Sequence, residues 1–501
     1  MAQLGYQLFR NVLSSWAGFA VRIIISFFFV PYITSVLGDT RYGVWVIIFQ
    51  TINYFALLDL GLEKALIRFL SKFHSRKDYE NVNRVLNTST VIYAGVGAAV
   101  VVGVLLTAAF LFQYFRIPSE SLLAEGKAAL IIVGIYAAVR FLLLPFGGSL
   151  GAFQRYDVSN AQSIAEDIIR TLLLVWLLSE GYGLAALAAV ILFTGVLRQI
   201  AGAIWLKRIY PAVRLNLGLA NRETARSLLG YSKISLGVTM AWLIIFGSDS
   251  LLLGLLASSA AAGVFAPAAQ LMLYIRGVVN TVGTPITPTI SHLEAQGNMG
   301  AVRDIYLIGL KYVGYFSFLM ASGVIVFAQP FVALWLAPEF AGAATVMMIL
   351  AIGLTVFLPQ IIGNAVFFGT ERHRYLLYVL IIEAVSKLIL SFILVGPYGL
   401  AGMALATTIP QVVLYLTLYP AFLARVLKIP VGQIFVTLFK SGIPAAAFTL
   451  PAGILLSYWL EPSSWGAFIL DVVLVTAIGL VPALRLFQRA DLAAFKRLGS
   501  E

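Results

Sequence analysis

The chain has 501 residues, of which 60% are hydrophobic and only 11% are charged, and its formal net charge is +12. A soluble domain carries about 25% charged residues, so this composition excludes a large soluble core and indicates a polytopic membrane protein. The absence of cysteine excludes disulfides, thiol nucleophiles and sulfur-ligated metals.

Apolar stretches long enough to cross a bilayer recur along the whole chain. A span needs about 20 mostly apolar residues, and irregular backbone cannot face lipid, so each stretch is predicted to be helical. The first stretch is too long for a cleavable signal peptide and holds Arg22 at its centre. We count about fourteen candidate spans: 12–37, 42–70, 85–112, 127–152, 158–179, 183–206, 231–257, 261–290, 304–328, 341–369, 375–396, 399–423, 434–459 and 465–486.

Lysine and arginine in the loops predict the orientation of these spans. They concentrate in loop 71–84, in segment 207–233 and in the tail after residue 484, whereas the intervening turns carry almost none. By the positive-inside rule, both termini should be cytoplasmic. Most of the net charge therefore reflects topology, and no nucleic-acid partner is expected.

The sequence also repeats itself. "GVWVIIFQTINY" (43–54) aligns with "GVFAPAAQLMLY" (263–274), and "GYGLAALAAV" (181–190) matches "PYGLAGMALA" (397–406) in the same order. We therefore expect two six-helix lobes related by a pseudo-twofold axis along the membrane normal, plus two extra C-terminal helices. The predicted parts are an N-lobe (1–206), a basic amphipathic cytoplasmic linker (207–230), a C-lobe (231–425), and the last two spans with a cytoplasmic tail (426–501).

Catalytic chemistry is missing from the sequence. The three histidines, His74, His292 and His373, fall in predicted loops or helix ends without metal or triad spacing, and there is no Walker A sequence. The longest soluble piece is under about 30 residues, too short for an ATPase domain. We expect no enzyme, cofactor or metal, and any uphill transport would draw on an ion gradient or on consumption of the product.

Three arginines, Arg22, Arg140 and Arg276, lie deep in predicted spans without an acidic residue one helical turn away. Charge inside a bilayer is costly and usually marks a pathway, so we expect these three to line a central cavity. Arg198 is predicted either to join them or to snorkel to the cytoplasmic interface. Arginine forks bind phosphate in bidentate geometry, so a cationic cavity predicts an anionic cargo.

Acidic residues inside the spans have several interpretations. Glu166 and Arg170 stand four residues apart, as do Glu383 and Lys387, so neutralisation within a helix bundle is favoured over ion coupling. Asp249 is a lone acid in the outer half of its span. An ion site, a partner for a deep arginine and an interfacial position all stay open for it.

The second span ends in the charged stretch "LLDLGLEKALIRFL" (57–70), which we expect to continue the helix. Lys64 and Arg68 are one turn apart and form either a solvated helix end or the cytoplasmic mouth of the cavity, where they would meet an anionic headgroup. Asp59 is a further candidate for ion coupling or pairing.

Residues 11–73 resemble the opening of polysaccharide exporters and O-antigen flippases, which belong to the multidrug/oligosaccharidyl-lipid/polysaccharide (MOP) superfamily. The resemblance rests on "PYITSVLG", "YGVW" and "LLDLGL" in order, then "GAFQRYD" (151–157) and "GYGLAA". It implies alternating access and flipping of an undecaprenyl-pyrophosphate-linked oligosaccharide. The arginines in spans 1 and 8, Arg22 and Arg276, are also similar to those of lipid II flippases.

We therefore expect a flippase of the inner (plasma) membrane, acting as a monomer on a lipid-linked oligosaccharide in the bilayer. Glycosyltransferases and a polysaccharide polymerase are its expected partners. The alternatives are a gradient-driven multidrug exporter or a lipid II flippase of the same fold. A membrane enzyme of envelope glycan assembly would show a large extracytoplasmic loop or an intramembrane histidine, and a passive scaffold would not require deep arginines.

Overall fold

A computed structural model describes residues 2–59, 61–230, 233–283, 286–460 and 462–486. Helices dominate these ranges, which contain no strand. The α-helices are α1 (Ala2–Phe55), α2 (Leu62–Ser75), α3 (Tyr79–Leu106), α4 (Glu120–Gly147), α5 (Tyr156–Ser179), α6 (Leu184–Ile209), α7 (Arg222–Gly230), α8 (Lys233–Gly247), α9 (Asp249–Leu256), α10 (Ser259–Gly283), α11 (Ile286–Ala295), α12 (Met299–Trp335), α13 (Gly342–Phe357), α14 (Ile361–Gly369), α15 (His373–Leu416), α16 (Leu418–Leu427), α17 (Val431–Leu460), α18 (Trp465–Leu480) and α19 (Ala483–Leu486). The predicted all-α class of a polytopic membrane protein is confirmed.

Ten helical stretches in the described ranges are long and apolar enough to cross a membrane, or eleven if the bent pair α8–α9 is one span. The sequence count of about fourteen therefore stays a prediction. Part of the difference comes from α5, which coincides with the predicted span 158–179 but carries more charged residues than the other ten stretches tolerate in their apolar part. It carries Glu166, Asp167 and Arg170 within one and a half turns.

Two of the ten stretches each cover two predicted spans. They run over Ser14–Asp59 (46 residues) and His373–Leu427 (55 residues), longer than the about 20 residues that one crossing needs. Each contains one glycine with non-helical dihedrals, Gly38 (φ 69°) and Gly399 (φ 53°). Positive φ is costly for any residue with a Cβ, so glycine allows the chain to bend there. Gly399 lies in the repeated "PYGLAG" sequence.

The charged end of the second span is not one continuous helix, so that expectation is wrong. Helix α1 ends at Phe55, a 3₁₀ turn follows over Ala56–Asp59, and α2 begins at Leu62. Gly61 adopts a left-handed conformation (φ 76°), which interrupts the helical hydrogen-bond ladder. Asp59 stabilises the break, because its carboxylate accepts the backbone N–H of Glu63 at 3.2 Å and the hydroxyl of Tyr93 at 2.6 Å.

The chain divides into two compact units, Met1–Leu243 with Ser258–Gly263, and Ile244–Ala257 with Val264–Glu501. The predicted linker 207–230 belongs to the first unit and is held against α3. The side-chain amide of Asn83 donates to the carbonyl of Ala212 at 2.9 Å, and that of Asn87 donates to the carbonyl of Arg214 at 2.8 Å. Both amide oxygens also accept backbone N–H groups of the linker.

The second unit has an aromatic core. Tyr415 contacts the rings of Phe357 and Tyr419 at 5.2 and 5.0 Å between centroids, and Phe367 lies 5.3 Å from Tyr419. The C-terminal helices α17 and α18 pack on α12, with Phe327 and Phe468 edge to face at 5.6 Å. Of the basic tail, Arg485 lies at the end of the described part, and Arg489, Lys496 and Arg497 lie outside it.

Candidate functional site

One turn of α5 assembles a group of charges from three helices of the first unit. The Arg170 guanidinium contacts Glu166 Oε1 at 3.1 Å and also bonds Asp167. From α6, Arg198 Nη1 reaches Glu166 Oε2 at 3.1 Å. From α1, Arg22 Nε lies 3.6 Å from Asp167 Oδ2. We call Arg22, Glu166, Asp167, Arg170 and Arg198 the arginine cluster.

Exposure differs sharply within the arginine cluster. The carboxylate side chains of Glu166 and Asp167 are only 5% and 13% exposed, whereas the arginine side chains are 31–52% exposed. The two nearly buried carboxylates therefore contact three guanidinium groups that stay partly exposed. An approaching molecule meets cationic forks that the carboxylates have already oriented, which is the geometry for bidentate capture of a phosphate or carboxylate.

The polar face of α1 packs along α5. Successive contacts join Arg10 to Asp157 at 3.4 Å, Ser14 to Asn160 at 2.9 Å, and Arg22 to Asp167. Both residue numbers rise together, so the two helices run parallel. The face of span 1 that carries Arg22 thus ties α1 to α5, and the Arg22 side chain itself is 52% exposed.

The other predicted cations of the first unit lie nearby or on α2. Arg140 is exposed on α4, and both Arg140 and Arg198 act electrostatically on Glu63. Lys64 and Arg68 are exposed on α2, one turn apart. Asp59 is occupied by its contacts with Tyr93 and the Glu63 backbone, which assigns it a structural part at the helix break.

The second unit contains a buried ion pair. Lys387 is completely buried, and its ammonium lies 2.6 Å from Asp249 Oδ1 and donates to the carbonyl of Ile245. Thr407 donates its hydroxyl to the same carboxylate oxygen at 3.3 Å. Asp249 opens α9 directly after the 51° bend from α8, and Ile245 lies in the last turn of α8. We call Lys387 and Asp249 the sealed pair.

The sealed pair corrects the expectation that Lys387 is neutralised by Glu383. The lysine points instead to the bend between α8 and α9, where a carboxylate and a carbonyl both accept its protons. The same contact bears on one interpretation of Asp249, because its partner in the structure is an ammonium on α15 and not a deep arginine. The ion-site and interfacial interpretations stay predictions. Glu383 is itself 1% exposed, with Lys387 and Arg276 among its electrostatic neighbours.

Arg276 lies against aromatic rings. Its guanidinium carbon is 3.6 Å from the centroid of Phe246 and 5.9 Å from that of Phe357. A guanidinium stacked on a ring is stabilised by the ring quadrupole, most strongly where water is excluded. Arg276 is therefore packed inside the second unit in this conformation, unlike the half-exposed Arg22.

The sequence did not indicate Glu63 or Phe246 as site residues, and it showed Asp167 only as one of several charges within the spans. Asp167 was visible as a mid-span acid adjacent to Glu166, and its place three residues before Arg170 was the available signal. Phe246 carried no signal, because aromatic residues are common in spans. Within the described ranges, no three histidine, aspartate or glutamate side chains are grouped as metal ligands.

Comparison with known sequences places the chain among membrane proteins. A family model described as "Polysaccharide biosynthesis protein" matches residues 8–294, more than half of the chain. The uncharacterized membrane protein EpsK of Bacillus subtilis (strain 168) is 21% identical over 474 residues, which cover 93% of this chain and 92% of EpsK.

Comparison with solved structures shows the fold. The lipid II flippase MurJ in its inward closed conformation matches with a TM-score of 0.69 at 15% identity, over 95% of this chain and 98% of MurJ. An inward-facing multidrug resistance MATE family transporter of the MOP superfamily matches with a TM-score of 0.62 at 14% identity, over 82% of this chain and 96% of the transporter. The chain has the fold of these transporters, which the sequence resemblance anticipated.

Proposed function

Because this chain belongs to the polysaccharide biosynthesis protein family, we propose that it is a flippase for a lipid-linked oligosaccharide. The cargo is an undecaprenyl-pyrophosphate-linked oligosaccharide, moved from the cytoplasmic to the outer leaflet by alternating access for cell-surface polysaccharide biosynthesis. The protein acts as a monomer in the inner membrane with both termini cytoplasmic, as the basic loops favour. Glycosyltransferases supply the cargo and a polysaccharide polymerase uses it.

The arginine cluster is the observation that supports an anionic cargo. Its guanidinium groups are accessible, and its carboxylates are nearly buried. Arginine remains charged at any physiological pH, so the cluster can hold a pyrophosphate without depending on a proton. Because the carboxylates already restrict the arginine side chains, less conformational entropy is lost when the cargo binds.

The same cluster bears differently on the two alternatives. A lipid II flippase would also need cationic groups for a lipid-linked pyrophosphate, and the MurJ fold match keeps this cargo as the second candidate. A multidrug exporter of cationic drugs is disfavoured, because three accessible guanidinium groups would repel such a cargo.

Translocation in proteoliposomes tests the proposal. Purified protein should flip an undecaprenyl-pyrophosphate-linked oligosaccharide, and Arg22→Gln or Arg198→Gln should slow flipping at least about tenfold, as expected for loss of a charge-assisted contact. The matched control is Arg41→Gln, which removes a guanidinium of similar exposure (46%) paired with Glu125. The control should flip normally.

Three cargos distinguish the outcomes: the oligosaccharide lipid, lipid II and a cationic dye, each with and without a proton or sodium gradient. Preference for the oligosaccharide lipid supports the proposal. Exclusive transport of lipid II would move the assignment to the second candidate, and transport of the dye alone would overturn the anionic-cargo assignment.

A further inference from the structure

A cavity of about 650 Å³ lies in the second unit, away from the sealed pair. Its walls come from α12, α17 and the segment after α18. Tyr315 of α12 donates its hydroxyl to the carbonyl of Gly479 at the end of α18, so two of these walls are fixed to each other. Tyr315 and Leu319 also pack with Ala445 and Ala483 in a small core, which links all three walls.

Three cations from different segments line this cavity: Lys311 on α12, Lys440 on α17 and Arg485 on α19. None of its described lining residues is acidic. Lys440 and Arg485 are exposed. Single lysines on spans commonly snorkel to the interface, but snorkelling does not require three cations to converge on one cavity. The cavity is therefore a concentrated positive site.

The rim of the cavity is apolar and accessible. Val436 is 62%, Phe448 45% and Val481 50% exposed, and all three line the cavity. Phe448 lies two helical turns beyond Lys440 on α17, about 12 Å along the axis. A ligand that satisfies the whole site must thus carry negative charge at one end and a hydrocarbon body at the other.

We propose that this cavity binds the headgroup of an anionic phospholipid. The phosphate contacts Lys311, Lys440 and Arg485, and the acyl chains lie along the exposed apolar residues of α17 and α18. A soluble phosphate would leave that apolar rim uncovered, so the amphipathic ligand is favoured. Basic sites between spans, on the side that the positive-inside rule makes cytoplasmic, suit anionic lipid headgroups. This site is separate from the proposed cargo cluster and does not depend on the proposed function.

Native mass spectrometry of the full chain in detergent tests the proposal with three probes: cardiolipin, phosphatidylglycerol and phosphatidylcholine. The wild type should retain the two anionic lipids more strongly than phosphatidylcholine. Lys311→Gln with Lys440→Gln should weaken anionic-lipid binding about 25-fold. That is about fivefold for each charge, or about 1 kcal/mol for each.

Matched variants make the test specific. Lys311→Arg with Lys440→Arg keeps both charges and should keep the lipid preference, which also shows that the sites tolerate substitution. Arg425→Gln with Lys428→Gln removes two exposed charges of the same unit outside the cavity and should bind as the wild type does.

Several results would overturn the proposal. They are equal retention of all three lipids by the wild type, equal loss in the Arg425/Lys428 control, and displacement of the lipid by millimolar inorganic phosphate alone. Displacement by an equal concentration of undecaprenyl pyrophosphate would also overturn it, because the cavity would then be a cargo site.

Discussion

Arg170 of the arginine cluster and Lys387 of the sealed pair occupy corresponding places in the predicted sequence repeat but have opposite environments. Glu166 and Arg170 precede the turn at "GYGLAA", and Glu383 and Lys387 precede the bend at "PYGLAG". The three arginine side chains of the cluster are 31–52% exposed, whereas Lys387 is completely buried. The same spacing of charges thus gives an accessible surface in one unit and a closed contact in the other.

The choice of cation explains part of this difference. Arginine presents a planar fork, so Arg170 can bond both Glu166 and Asp167 and still expose its edge. The ammonium of lysine is compact, which fits the gap between Asp249 and the carbonyl of Ile245. We infer that the arginine cluster serves binding and that the sealed pair holds the bend between α8 and α9 together.

Breaking the sealed pair should have the largest effect on stability. Lys387→Met leaves the Asp249 carboxylate buried without its ammonium, and breaking a buried pair costs about 3–5 kcal/mol. Thermal unfolding followed by intrinsic fluorescence can measure this, since the chain has eight tryptophans.

The double variant Lys387→Met with Asp249→Leu is the matched control. It removes both charges and should recover most of the lost stability, because an apolar pair of similar volume often replaces a buried ion pair without loss. Equal destabilisation of the single and double variants would contradict the pairing as the cause, as would a single variant as stable as the wild type.

Separating Arg276 from its ring should have the next largest effect. Phe246→Leu removes the ring that lies 3.6 Å from the guanidinium carbon, and a desolvated contact of this kind contributes about 2 kcal/mol. A double-mutant cycle with Arg276→Met isolates the pair from general packing. A coupling energy near zero would show that the ring does not stabilise the guanidinium.

A substitution in the arginine cluster should impair transport more than it lowers stability. Asp167→Asn removes the charge that holds Arg22 and Arg170. Their side chains are 52% and 31% exposed, and an ion pair whose cation stays accessible contributes only about 1 kcal/mol or less. Unfolding should therefore change little, while flipping should fall about tenfold. Asp157→Asn is the control on the same helix, since Asp157 also binds two arginines, Arg10 and Arg155. Equal loss of flipping in both variants would show that the cluster has no special part.

The fold could be predicted from the sequence because its signals are long and additive. Twenty apolar residues in a row predict a helix whatever their order. The break at Asp59 and the bend at Ser248 depend on single residues and on tertiary contacts. Gly61 was visible in the sequence, but a lone glycine is tolerated in many helices and does not by itself predict a break.

The site was harder to predict because ion pairs form between side chains that are close in the folded chain but distant in the sequence. The i, i+4 rule anticipates the contact of Glu166 with Arg170, which forms at 3.1 Å. The same rule misassigns Lys387, because a flexible four-carbon side chain can reach Asp249, 138 residues earlier in the chain. Sequence distance also hid the contact between Arg198 and Glu166. Glu166 and Arg198 lie on neighbouring helices whose register the sequence does not reveal.

The smallest expected effect is a change of stability with pH that arises from His74 in the first unit. His74 lies at the end of α2, outside the apolar stretches, with the rings of Phe153 and Tyr210 at 4.8 and 5.5 Å. Partial burial lowers the pKa of His74 below its ordinary value of about 6.5. The unfolded chain then binds the proton more readily, so the contribution of neutral His74 is present above pH 6.5 and is lost as the pH falls below it. Because the ring is largely solvated, the change should stay under about 0.5 kcal/mol.

His74→Gln should flatten the slope of the unfolding temperature between pH 7.5 and 5.5, and the sealed-pair double variant should keep the wild-type slope. A slope that His74→Gln leaves unchanged would assign the pH response to the ion pairs instead.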